Sequence, residues 1–124
     1  MEIYNASGHP INQEGITILS ECAVPNADLA NPKSVCALAE KIAIEASIYA
    51  LRGVPIALPG MTTLSAMIIS IVQGITGYLP RIVWAARKDG MFVWSEEQVM
   101  DLHELRNRSR EKREVDEIRK ALKY

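Results

Sequence analysis

The sequence predicts an α/β domain with a Rossmann-like, mostly parallel sheet, and the uncharged stretch between Arg52 and Arg81 is the main reason. Residues 54–58, VPIAL, are apolar on both faces and too few for a helix, which is typical of a buried parallel strand. Pro59-Gly60 breaks that strand, and an apolar helix is predicted over residues 64–73, before a second apolar run. Strand, turn, helix and strand in this order form half of a Rossmann-like layer.

Length, charge and cysteine content restrict the class of protein. With 124 residues, 48% of them apolar, the chain is long enough for a single domain with a buried core. A formal net charge of −1 argues against binding to duplex nucleic acid, which usually requires a basic excess. Cys22 and Cys36 form no CxxC pair, and the amino terminus has no signal-peptide pattern. We therefore expect reduced thiols and a cytoplasmic protein.

The first half of the chain predicts two strands and one helix. Residues 1–6 predict a short strand that ends in a turn of small and polar residues, and residues 16–24 predict a second strand. A helix is predicted to begin near Lys33-Ser34, because apolar side chains then recur at helical spacing. Arg52-Gly53 predicts its end, since a cation followed by glycine is a common helix terminus.

A β-hairpin is predicted after the central helix. Residues 81–86 and 91–94 predict its strands, and Lys88-Asp89-Gly90 predicts the turn, because Asp-Gly readily adopts positive φ values. Trp84 and Trp94 are expected to pack near one another across this hairpin.

The carboxyl-terminal part predicts a long helix. Ser95 is the expected cap, and the two glutamates after it suit the positive end of a helix dipole. Residues 106–124 form a charged extension whose apolar side chains are Val115, Ile118 and Leu122. Two interpretations of this extension stay open, a frayed tail and a helix that docks on a second subunit.

Two loops are predicted to meet at one edge of the sheet. If the first strand lies parallel to residues 54–58, both carboxyl ends point the same way, and ligands bind outside such ends. Thr62 or Thr63 is expected to cap the central helix, and a phosphate would lie at its amino end. The candidate ligand-binding residues from the two loops are Ser7, Gly8, His9, Pro59, Gly60, Met61, Thr62 and Thr63.

Simpler explanations of the same residues remain open. The uncharged stretch has the length of a transmembrane helix, but its prolines, glycines and Gln73 interrupt any apolar span of about 20 residues. The turn at 59–63 matches neither GxxxxGK[ST] nor GxGxxG, and a βα turn that binds nothing is an alternative. His9 is either a solvated loop residue or a phosphate donor and proton acceptor. No metal-binding motif and no cofactor is predicted.

Three motifs together resemble the small CRISPR-associated ancillary proteins of the Csx-fifteen family. They are SGHP at residues 7–10, LPGMTT at 58–63 and GITGYLPRI at 74–82. The resemblance covers about half of the chain, chiefly the first ten residues and residues 53–110, and residues 11–50 do not obviously match. It implies one Rossmann-like, CARF-like domain over residues 1–124, akin to the sensor domains of type III CRISPR systems.

The resemblance also implies a ligand and a role in antiviral defence. The expected ligand is a cyclic oligoadenylate, most simply cyclic tetra-adenylate, bound between the subunits of a homodimer or larger homo-oligomer and sequestered. Arg81 and Arg52 are expected to add charge-assisted bonds to its phosphates. One alternative is a metal-independent ring nuclease, with His9 as base and Arg81 stabilising the phosphorane. Another is a structural or membrane-adjacent adaptor.

Overall fold

A computed structural model describes residues 1–22 and 29–123 as five strands and four α-helices. The strands are β1 (Glu2–Asn5), β2 (Thr17–Glu21), β3 (Ile56–Ala57), β4 (Arg81–Lys88) and β5 (Met91–Asp101). The helices are α1 (Pro32–Leu51), α2 (Thr62–Thr76), α3 (Leu102–Ser109) and α4 (Asp116–Leu122), with a 3-10 helix at Arg110–Glu114. The predicted second strand ends earlier than expected, and residues 23 and 24 lie outside the described residues, as does Tyr124.

The strands form one sheet in the order β2-β1-β3-β4-β5, parallel except for the last pair. The connections through α1 and α2 both move in the same direction along this order, from β2 to β3 and from β3 to β4. Because such crossovers are right-handed, both helices lie on the same face of the sheet. The prediction of an α/β domain with a mostly parallel sheet and a terminal hairpin is confirmed.

The main core lies between this face and the two helices. Helix α1 begins where Asn31 Oδ1 accepts a hydrogen bond from the amide of Lys33 at 2.9 Å, with Pro32 in the first turn. Helix α2 buries a narrow stripe and ends at Gly77, whose φ of 82° suits glycine. The fully buried side chains of this core come from β1, α1, β3 and α2 and include Tyr4, Ala39, Ala43, Ala46, Ile56, Ile68 and Val72.

No described helix covers the opposite face of the sheet. The connection from β1 to β2 runs in the opposite direction along the sheet, and it is an extended segment rather than a helix. Its Ile11 and Ile16 pack against a small cluster around Ile3. The side chain of Gln13 fixes this segment to β5, because Nε2 donates to Trp94 O at 2.7 Å and Oε1 accepts from Trp94 N at 2.9 Å.

The hairpin β4–β5 is longer than the sequence predicts. Its turn is as expected, with φ of 50° at Asp89 and 77° at Gly90. The prediction that a helix begins at Ser95 is wrong, because β5 continues to Asp101. Its residues 91–94 and 99–101 pair with β4, and the register shifts across residues 95–98 between them. Trp94 is opposite Ala85, so Trp84 faces the other side of the hairpin, and the expected Trp84–Trp94 packing is absent.

The long C-terminal helix is also a wrong prediction. Asp101 caps α3 by accepting from the amide of Glu104 at 3.0 Å, and helical structure then tightens into the 3-10 segment. Val115 has extended backbone angles and separates that segment from α4. In the described part of this extension, residues 102–123, no side chain is buried, so nothing holds a continuous helix against the domain.

In residues 1–22 and 29–123, no helix combines the length and the apolar character that crossing a membrane requires. Helix α2 is uncharged but has only 15 residues, and helix α1 contains charged residues throughout.

Candidate functional site

The two predicted loops meet at the carboxyl ends of β1 and β3. These strands are neighbours in the sheet, with Tyr4 level with Ile56 and Asn5 level with Ala57. The loops that follow them enclose a cavity of about 310 Å³. Its lining residues are Ser7, Gly8, His9, Leu29, Pro59, Gly60, Met61 and Leu64. Six of the ten predicted ligand-binding residues, Ser7 to His9 and Pro59 to Met61, therefore share one cavity.

Buried Asn5 organises the first loop. Its Nδ2 donates to the carbonyl of His9 at 2.8 Å, and its Oδ1 accepts from the amide and the hydroxyl of Ser7 at 3.0 and 2.6 Å. The Ser7 hydroxyl oxygen in turn accepts from the amide of His9 at 3.2 Å. An asparagine that bonds to the backbone two residues later is a common way to shape a turn without regular structure.

This network changes what the first loop can offer to an anion. The amides of Ser7 and His9 already have partners inside the loop, so the prediction that Ser7 donates to a phosphate is not supported. Gly8 lies between them with a φ of 81°, and its amide has no partner among the described residues. Among the described residues, the loop thus forms a wall of the cavity in which the Gly8 amide is the backbone donor left for an anion.

Helix α2 begins at the second loop without a side-chain cap. Met61 is the residue at the cap position, so the prediction that Thr62 or Thr63 caps the helix is wrong. The amide of Ser65 makes the first helical hydrogen bond, to Met61 O at 3.1 Å, and its hydroxyl holds the turn by donating to Pro59 O at 2.7 Å. The three preceding amides have no intrahelical partner, as at any helix start, and together they attract negative charge.

Thr62 and Thr63 belong to a different surface. They line an open groove of about 510 Å³ between α1 and α2, together with Cys36, Ala66, Met67, Ser70 and Ile71. Their backbone amides still belong to the amino end of α2, but their side chains are not part of the cavity wall. Thr62 and Thr63 thus begin α2, directly after the second loop, but they line the groove instead of the cavity.

Arg52 and Arg81 lie at the other end of the sheet. Ile56 is level with Ile82, so Arg81 is level with Pro55, four residues before Pro59. At 3.3 Å per residue, the two edges are about 13 Å apart. Both arginines line a separate cavity of about 570 Å³ with Glu2 and Glu96. Within one chain the two arginines therefore lie outside the candidate site. Arg52 ends helix α1 and Arg81 begins β4, and both positions are at the amino edge of the sheet.

The cavity at the carboxyl edge contains little charge. Of the residues that the structure describes along its wall, His9 is the only titratable one. Glu21 lies nearby, with Oε2 3.4 Å from Asn5 Nδ2, and it adds negative charge beside the loop. In residues 1–22 and 29–123, no group of three or more His, Cys, Asp or Glu side chains could hold a metal ion. The donors that the cavity offers to an anion are thus backbone amides and His9.

Two titratable groups lie behind the first loop, the buried Tyr4 and the half-buried Cys22. Burial raises the pKa of the Tyr4 phenol above its ordinary value, and nearby Cys22 and Glu45 raise it further. Burial also raises the pKa of the Cys22 thiol, and Glu45 adds to that shift. Both groups are neutral at physiological pH, so neither provides a nucleophile or a base next to the cavity.

Comparisons with known proteins give no family. No protein-family model, no curated protein and no solved structure matches this chain.

Sequence reasoning missed three residues of this site. Asn5 was assigned only to the first strand, although an asparagine two residues before Ser-Gly is a recognisable turn signal. Leu64 was assigned only to the helix after the turn, and Leu29 lines the cavity from the segment before α1, where no pattern in the sequence indicates that contact. Asn5 was therefore detectable and Leu29 was not.

Proposed function

We propose that this protein binds a cyclic oligoadenylate, most simply cyclic tetra-adenylate, between two copies of the chain and sequesters it, which would damp type III CRISPR signalling. One observation carries the proposal: the loops after two neighbouring parallel strands enclose one cavity beside the uncapped start of α2. This is where open α/β sheets bind nucleotides. The identity of the ligand comes from the resemblance of the SGHP, LPGMTT and GITGYLPRI motifs.

The chemistry of the cavity suits one nucleotide unit of such a ring. The free amides at the start of α2 and at Gly8 are donors for a phosphate. Leu29, Met61 and Leu64 offer apolar contacts to a base. A cavity of about 310 Å³ lies at the lower end of the range for small-molecule sites. A ring of several nucleotides is larger, so part of it must contact a second copy.

The position of the arginines suggests how the second copy contributes. The cavity has no arginine or lysine among its lining residues, while Arg52 and Arg81 lie together at the opposite edge. A head-to-tail arrangement would bring the amino edge of one copy to the carboxyl edge of the next. The phosphates would then lie between backbone amides and guanidinium groups.

Sequestration fits the geometry better than catalysis. Among the described residues that line the cavity, His9 is the only acid–base group, and Arg81 does not lie beside it in the same chain. General acid–base cleavage usually requires a second group to protonate the leaving oxygen. A ring nuclease that works by positioning alone remains the alternative.

The first test mixes the protein with cyclic tetra-adenylate and follows both mobility shift and the integrity of the nucleotide. Bound and intact nucleotide is the expected result. Gly60→Trp should obstruct the cavity and abolish binding, because Gly60 is one of its lining residues. A Cβ at Gly60 meets no atom within 4 Å, so the backbone there accepts a side chain. Gly60→Ala is the matched control and should bind normally. Rapid linearisation would support the ring nuclease, and no binding to any ring size would refute the proposal.

A second test distinguishes the head-to-tail arrangement from a symmetric one. Arg81→Ala and Gly60→Trp should each lose binding alone, because they damage opposite edges. In an equal mixture of the two variants, half of the copies have an intact amino edge and the other half have an intact carboxyl edge. About a quarter of the head-to-tail contacts then join two intact edges, so partial binding should return. Normal binding by Arg81→Ala would remove the arginine from the site and favour an arrangement that joins two carboxyl edges.

A further inference from the structure

We propose that the segment from Arg106 to Lys123, here called the arm, docks on helix α1 of a second copy of the chain. This inference does not depend on the nucleotide. Helix α4 makes its contacts with the 3-10 helix before it, and no side chain of the arm is buried in the described structure. The arm begins within α3. The start of this helix is anchored to the domain, because the amide of Leu102 donates to Pro80 O at 3.2 Å.

The arm has an apolar stripe that nothing covers in the single chain. Val115, Ile118 and Leu122 recur at helical spacing, and they are 50%, 46% and 49% exposed. This periodicity is typical of a helix that buries one face against protein. A solvated tail has no need for aliphatic side chains in this pattern.

The length of α4 also favours a partner. It has seven residues, and isolated helices shorter than about 12 residues are marginal in water. Acidic residues in its first turn and basic residues in its last turn favour the helix, but such contributions are a few tenths of a kcal/mol. Docking of the apolar face supplies the missing stabilisation.

Charge identifies the partner as another copy of this chain. Residues 106–123 contain eight Lys or Arg and four Asp or Glu, a net charge of +4. Residues 1–105 contain six Lys or Arg and eleven Asp or Glu, a net charge of −5. The arm and the domain are therefore electrostatically complementary, and two copies can exchange arms with closed symmetry.

Helix α1 has the matching surface. Ile44, Ile48 and Leu51 are 62%, 58% and 68% exposed, on the side of α1 that points away from the sheet. Their spacing covers about 10 Å of helix, the same length as the stripe on the arm. Two helices with stripes of equal length can pack side by side over the whole stripe.

The test measures self-association of the full chain without nucleotide, by sedimentation velocity over a range of concentrations. Ile118→Glu on the arm and Ile48→Glu on α1 should each raise the dimer dissociation constant at least tenfold. Phe92→Glu is the control, because Phe92 is also exposed, at 69%, but lies on the hairpin. It should leave the dissociation constant unchanged. Raising the salt concentration should weaken the wild-type dimer.

Cross-linking tests the contact directly. In a Cys36→Ser background, one chain with Ile118→Cys and another with Ile48→Cys should form a disulfide-linked heterodimer, whereas Ile118→Cys with Phe92→Cys should not. A monomer at all concentrations, or no effect of Ile118→Glu, would overturn the proposal. Binding of single-stranded RNA by a monomer, lost when Arg106, Arg108 and Arg110 become alanine, would assign the arm to nucleic acid instead.

Discussion

Replacing Asn5 with alanine should destabilise the protein by about 3 kcal/mol, because three hydrogen bonds of the first loop depend on its side chain. Each such bond contributes about 1 kcal/mol net. The side chain is only 2% exposed, so water cannot replace them. Since small domains have about 5–15 kcal/mol of total stability, the loss is a large fraction.

Urea unfolding, followed by tryptophan fluorescence and by circular dichroism, measures this change. Ser7→Ala is the matched control. It removes the hydroxyl that donates to Asn5 Oδ1 and to His9 O and that accepts from His9 N. It keeps the bond from the Ser7 amide to Asn5 Oδ1 and the bond from Asn5 Nδ2 to His9 O. We expect it to cost about 1–2 kcal/mol. The double variant should cost less than the sum, because the two side chains share one hydrogen bond. A loss below about 0.5 kcal/mol for Asn5→Ala would refute the role of Asn5 as the organiser of the loop.

Two further predictions concern pH and backbone conformation. Because burial raises the pKa values of Cys22 and Tyr4, the unfolded chain loses these protons before the folded one. The contribution of these two groups to stability should therefore be constant below about pH 8 and be lost as pH rises through 9 and 10. A Tyr4→Phe, Cys22→Ala variant should flatten that fall in thermal melts, and an unchanged slope would argue against the shifts. Gly90→Ala should lower stability by about 1 kcal/mol, because Gly90 has a φ of 77°. Gly60→Ala, at a position with ordinary φ, should leave the melting temperature unchanged.

The parts of the fold that the sequence predicts are those in which local pattern and tertiary structure agree. The apolar run at 54–58 and the Pro59-Gly60 break indicate a buried strand and its end, and parallel pairing then brings the loop at Ser7 beside them. Asp89-Gly90 defines a turn almost alone, because few dipeptides adopt two positive φ values. The adjacency of the two loops was predictable for these reasons.

The failures come from places where tertiary contacts override local preference. Ser95 and the glutamates after it have the pattern of a helix start, yet β5 pairs with β4 on both sides of residues 95–98, and partial burial of Trp94 and Val99 also keeps the chain extended. Met61 occupies the cap position because the turn is held by Ser65 rather than by a threonine. Neither the strand pairing beside Ser95 nor the Ser65 hydrogen bond can be recognised from the local sequence pattern.

The positions of the arginines follow from the direction of the chain. The order of elements already indicates the edge at which each one lies, since Arg52 follows a helix that runs antiparallel to the strands and Arg81 begins a strand. Within one chain, neither arginine therefore lies beside His9. Leu29, in contrast, enters the cavity from an irregular segment, and only the folded structure indicates that contact.

The shortness of β3 has a mechanical consequence. This central strand pairs with each neighbour through only two residues, Ile56 and Ala57. Few backbone pairs therefore connect the half of the sheet formed by β2 and β1 to the half formed by β4 and β5. The two loops of the cavity lie at one end of this weak connection, one after β1 and the other after β3. A ligand that contacts both loops would hold the two strands together, and binding should slow amide hydrogen exchange at Ile56 and Ala57.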